Sequence, residues 1–192
     1  WVNLFIMVLC APVAEELIFR KLLIDRLAQY GEGVAVLFSG LMFGLFHGNL
    51  NQFVYAFVLG LCFGFIYVKT GNIRYTIGLH MLVNFLGSVL GVAILKWLGD
   101  DFLSIASDPA GMMSYMTGNF GKLIVYFIYI FLLLGVAIAG IILFIVNLKK
   151  IRFQPGMNTI PKGKRLSTTV LNVGMALYMI VWIVIIIVQL FQ

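Results

Sequence analysis

Residues 123–146 are 24 consecutive residues without a single charge. A helix needs about 20 apolar residues to cross the hydrocarbon of a bilayer, and this run supplies them. Residues 170–191 form a second uncharged span. Inside lipid every backbone amide must find its partner within the chain, so such spans fold as helices. The rest of the sequence agrees: 62% of it is hydrophobic, 10% is charged, and the mean hydropathy is +1.09. A soluble domain is nearer half apolar and a quarter charged, and a chain of this size could not hide so much apolar surface from water. The chain opens on Trp1 inside an apolar stretch, so it reads as a fragment with further helices expected upstream. No signal peptide is recognisable. Cys10 and Cys62 both lie in apolar runs and read as small hydrophobes rather than a disulfide or metal pair.

The sequence therefore predicts an all-α, multi-pass transmembrane bundle of about six helices. They fall at roughly 2–30, with a kink at Pro12, then 34–47, 52–68, 73–98, 122–148 and 167–192. The breaks between them are Gly31-Glu32-Gly33, the polar turn 48–51, Thr70-Gly71-Asn72, a polar stretch at 99–121 and a loop with Pro155 and Pro161. Three parts follow: a core at 1–98, an extracytoplasmic polar segment at 99–121, and two further membrane helices at 122–192. Small residues four apart recur at Gly40/Gly44, Gly60/Gly64 and Gly87/Gly91, a spacing that lets helix backbones approach in lipid. The segments GLMFGLFHG and GLCFGFIYV echo one another over too few residues to be a repeat.

The net charge of +6 is concentrated. Lys149, Lys150, Arg152, Lys162, Lys164 and Arg165 share one loop with no acidic residue, which places loop 149–167 in the cytoplasm. Lys21, Arg26, Lys69 and Arg74 then fall on the same side, although none of them was needed to set the orientation. Contact with anionic lipid fits this pattern. Nucleic-acid binding has no other support. The lack of long soluble loops points to a bacterial plasma membrane.

Strongly polar groups within membrane helices are costly and mark candidate functional sites. Glu15-Glu16-Leu17-Ile18-Phe19-Arg20 places Glu16 and Arg20 on one face, four apart, with Glu15 turned about 100° away. One arginine leaves one carboxylate uncompensated, as suits a general base. The plain alternative is an interfacial helix end whose charges face headgroups. Phe43-Gly44-Leu45-Phe46-His47 ends the second helix with a histidine, and taken singly a structural role is the simpler reading. His80 and Asn84 lie four apart in an otherwise apolar helix, where an interhelical hydrogen-bond pair is the plain alternative. These are the only two histidines in the chain.

EExxxR, FxxxH and HxxxN, in this order on successive helices, resemble the three motifs of the CPBP family (CAAX prenyl endopeptidases and bacteriocin-processing enzymes, also termed ABI). Residues 15–84 carry all three, and the matching core covers about 1–98. The resemblance implies an intramembrane endopeptidase acting on a membrane-associated peptide or protein tail. Glu15 and His47 would hold and activate the attacking water. Glu16 with Arg20 would lock the first helix through the ion pair, Phe43 would be a further supporting residue, and His80 with Asn84 would bind the oxyanion. No cofactor is needed for that chemistry. If zinc were used, Glu15, His47 and His80 would be its ligands, with the fourth position left to water. A non-catalytic immunity or scaffold protein, or a proton- or ion-coupled transporter, is the competing class. The complete motif set argues against a scaffold, and the lack of internal repeats against a transporter.

This topology carries a tension. His47 falls near the outer end of its helix and His80 about two turns from the inner end of its own. That leaves roughly 10 Å to close at 1.5 Å per residue. Convergence needs a tilted helix, or a second helix that ends mid-membrane.

Overall fold

The computed structural model describes residues 2–158, 160–164, 167–168 and 171–191. Among these residues are seven helices and no strand, only one isolated bridge between Gly31 and Pro155. Helix α1 covers 2–30, α2 Glu32–Phe46, α3 Leu50–Thr70, α4 Ile73–Leu98, α5 Phe102–Ala106, α6 Pro109–Asn147 and α7 Val173–Leu190. Four of them, α3, α4, α6 and α7, are long and apolar enough to cross a membrane. The chain is an integral membrane protein.

Helix α1 is wound unevenly. Two π-type stretches, Ile6–Cys10 and Leu17–Ile24, enclose the α-helical turn Ala11–Glu16. Pro12 sits just past the first, where the wider turn accommodates a residue that cannot donate to the helix ladder. The second begins directly after Glu15-Glu16. Such insertions are frequent at functional sites.

The described residues divide into two compact units, and the boundary runs through α4 between Met81 and Leu82. The larger unit holds Phe5–Met81 with Phe153–Gln192. Its centre is the crossing of α2 and α3, an antiparallel pair joined by the turn at Gly48 and Asn49. A Cβ built on Gly60 would lie 2.8 Å from Gly40 Cα, and one built on Gly44 3.1 Å from Phe53 O. Only glycine permits that approach, which is the small-residue packing expected of helices in lipid. Asn49 Oδ1 caps α3 by accepting from the amides of Asn51 and Gln52, at 2.8 and 3.2 Å.

The cytoplasm-assigned loop is partly packed in the same unit. Glu32 accepts from Lys69 Nζ and from the Gln154 amide, and Asn158 donates to Gln29 from both backbone and side chain. Arg165 and Val170 of the sequence-based assignments lie outside the described residues.

The smaller unit holds Leu82–Arg152 with residues 1–4, of which Trp1 lies outside the described residues. Its core is Ile94, Leu98, Phe102 and Leu123. Here the sequence reading needs correction. The helix placed at 122–148 begins at Pro109, and α5 takes up part of the rest, so segment 99–121 is largely helical. Asp108 caps α6 through the amides of Ala110 and Gly111, and Pro109 stands where a missing N–H costs nothing. The backbone leaves helical geometry at Asn119, with φ −128° and ψ 24°, so the polar first part joins the apolar second across a kink. Helix α7 likewise begins at Val173, after the cap of Asn172 Oδ1 on the Met175 amide, rather than at 167.

Candidate active site

The site lies in the larger unit and is assembled from α1, the end of α2, α3 and the first part of α4. Glu16 and Arg20 are both fully buried, with Arg20 Nε 3.0 Å from Glu16 Oε2. That contact is an ion pair rather than an aligned hydrogen bond, and among the described residues Arg20 Nη1 and Nη2 have no acceptor. The guanidinium is held instead between two aromatic faces, 4.5 Å from the centre of Phe43 and 5.5 Å from that of Phe63. A planar, weakly hydrated cation suits such a slot; an ammonium would not fill it.

The other oxygen of Glu16 reaches a different helix. His80 Nδ1 lies 3.0 Å from Glu16 Oε1, and His80 Nε2 lies 3.7 Å from Glu15 Oε2. One imidazole therefore bridges two adjacent carboxylates from a point 64 residues along the chain. His80 is 4% exposed, and its ring packs on Phe43 and Phe63 at 5.5 and 5.6 Å. Glu15 keeps 18% of its side chain exposed, so it is the accessible member of the acidic pair.

His47 is the first residue past α2 and is partly buried. Its Nδ1 lies 2.8 Å from Phe43 O. A carbonyl can only accept, so Nδ1 is the donor in this contact and Nε2 is left free of it. The His47 ring also packs on Phe43, at 4.9 Å. Both imidazoles rest on one phenyl ring, so their centroids lie no further apart than 10.4 Å, the sum of the two contacts. Glu15 lies in the electrostatic field of both. The tension in the sequence topology is resolved by length. Helix α2 has 15 residues, which rise about 22 Å against about 30 Å of hydrocarbon.

Of the residues singled out from sequence, Glu15, Glu16, Arg20, Phe43, His47 and His80 thus come together. Asn84 closes the Ile73–Asn84 segment, one turn after His80 on the same helix. Among the described residues no three His, Cys, Asp or Glu side chains are grouped so as to hold a metal ion.

Three features escaped sequence reasoning. The first is the Glu16–His80 bond, which makes Glu16 a link between helices as well as the partner of Arg20. The second is Phe63, and here a signal existed. In the echoed segments Phe43 corresponds to Phe63, Gly40 to Gly60 and Gly44 to Gly64. The two antiparallel helices meet at Gly40 and Gly60, and each lays its phenylalanine against Arg20 and His80. The third is Ser39, whose buried hydroxyl donates to Phe19 O at 2.8 Å, within the π-type stretch of α1.

Comparison with known proteins covers the same part of the chain. Residues 1–86 match the family described as Type II CAAX prenyl endopeptidase Rce1-like. A Bacillus subtilis (strain 168) protein, "Putative membrane peptidase YdiL", is 33% identical over 74 residues, or 38% of this chain and 30% of the relative. The chain thus spans under a third of that relative's length. No solved structure matches. The family match covers residues 1–86, which contain every motif residue read from the sequence, and so agrees with the resemblance seen there.

Proposed function

We propose that this protein is an intramembrane endopeptidase in which Glu15 and His47 activate water and His80 with Asn84 stabilises the oxyanion. One observation carries the reading: His80 lies between Glu15 and Glu16 while His47 shares its phenylalanine platform. A scaffold has no use for two adjacent carboxylates and two imidazoles gathered about one phenylalanine, given what such groups cost in lipid.

The roles follow from the hydrogen bonds. With Nδ1–H engaged by Phe43 O, His47 Nε2 accepts from a water molecule. Glu15, the more exposed carboxylate, takes the proton as that water attacks the scissile carbonyl. His80 donates Nδ1–H to Glu16, the carboxylate paired with Arg20. With Nδ1–H engaged by Glu16, a proton carried on His80 Nε2 during the reaction makes that nitrogen a donor. An oxyanion developing beside Glu15 needs such a donor. The amine product leaves with the proton held by Glu15. Substrates are peptides or protein tails at the membrane, and lipid is the surrounding partner.

The mechanism uses no metal. The purified chain in lipid nanodiscs, exhaustively chelated and dialysed, is expected to keep cleaving a peptide library that includes prenylated and leader-type members. Stoichiometric zinc, with activity lost on its removal and restored on re-addition, would replace the glutamate mechanism with a zinc one. Failure to cleave any member would remove the protease reading.

A further inference from the structure

We propose that helix α7, which lies outside the stretch matched to the protease family, positions His47 through Trp182 and Tyr178. The need for such a support is visible in α2. His47 stands one residue beyond the last helical turn, where its amide reaches Gly44 O only at 3.4 Å. Gly48 follows with φ +63°, a left-handed conformation that glycine enters at little cost and leaves as easily. Nothing in the local backbone fixes the direction of the imidazole beyond its bond to Phe43 O.

Helix α7 supplies what the turn lacks. Tyr178, Trp182 and Ile185 are spaced to share one helical face. Tyr178 donates its hydroxyl to Met42 O at 2.7 Å. The Trp182 indole packs edge-on against Phe46 at 5.2 Å. A Cβ built on Gly48 would lie 3.1 Å from Ile185 and 3.3 Å from Trp182, so the backbone there is pressed against α7. These contacts grip residues 42, 46 and 48, which bracket His47, and none of them touches the imidazole. That makes Trp182 and Tyr178 positioning residues. A backbone shift of about 1 Å at a reacting group can cost on the order of a hundredfold in rate. The effect on rate rests on the protease reading; the effect on His47 does not.

With two histidines in the chain, nitrogen NMR on histidine-labelled protein in nanodiscs reads the ring directly. His80→Gln assigns the signals. In the wild type His47 is expected as the tautomer protonated at Nδ1. Trp182→Ala should shift that signal and mix the tautomers while leaving His80 in place, and Trp182→Phe should restore it. On a cleaved peptide, Trp182→Ala should lower kcat by about tenfold to a hundredfold, with KM within about twofold. If Trp182→Ala does not fold, Tyr178→Phe, which removes one oxygen, should move the His47 signal the same way. An unchanged His47 signal in a folded variant, or both histidines shifting together, overturns the proposal. A wild-type chain that cleaves nothing yet shows the His47-selective shift refutes the protease reading and keeps the positioning role.

Discussion

Helices α3 and α6 are both long and apolar enough to span a bilayer, yet they are built for different neighbours. Of the most apolar stretch of α3, 28% is buried within the protein; of that of α6, none is. Helix α3 turns Ala56, Gly60, Phe63, Gly64 and Tyr67 inward. Helix α6 exposes Phe131, Val136, Leu143 and Val146 by more than half their surface, as a lipid-facing helix should. Glycine content does not separate them. A Cβ on Gly60 would strike Gly40, whereas Cβ atoms on Gly135 and Gly140 of α6 would meet nothing within 4 Å. In lipid, apolarity brings no two helices together, so an interface has to be made by close backbone approach and by buried polar bonds. Helix α3 has both: the glycine crossing at Gly60 and, two turns further along, Tyr67 donating to Asp25 Oδ1 at 2.8 Å.

The contrast can be broken by substitution. The largest effect belongs to the buried ion pair. Glu16→Ala strands Arg20 in an aromatic slot and removes the bond to His80. A cost of about 3–5 kcal/mol is expected, read as a large drop in melting temperature or yield. Gly60→Ala comes next: the added methyl has no room beside Gly40 and should cost about 1–3 kcal/mol by overpacking. Gly135→Ala is the matched control on α6 and should be neutral, or stabilising by less than about 1 kcal/mol through helix propensity. Equal responses from the two glycines would mean that the α2–α3 crossing does not hold the unit together.

What the sequence disclosed followed from residue type, and what it hid depended on distance along the chain. Glu15, Glu16, Arg20, His47 and His80 were legible because each is costly in a membrane helix and their order is unusual. Their mutual geometry was not, since a bond across 64 residues has no local signature. The early start of α6 was written in Asp108-Pro109, a cap followed by proline. Together with Asp100 and Asp101, the same two residues also read as a polar break between membrane helices. Trp182 had no signal at all: an aromatic residue in an apolar helix looks the same whether it faces lipid or braces a histidine. The echo around Phe43 and Phe63 was visible but short, and only the crossing of the two helices gives it meaning.

Glu15 is the residue on which the functional account turns, because it lies beside His80 and is the more exposed of the two adjacent carboxylates. The most direct test is Glu15→Gln, which keeps the shape and removes the base, measured for peptide cleavage and thermal melting on the same nanodisc sample. The account predicts a fall in kcat of about 100- to 10,000-fold with the melting temperature near that of the wild type. A folded Glu15→Gln protein that retains more than about a tenth of the wild-type rate would contradict it, since losing a general base costs at least about a hundredfold.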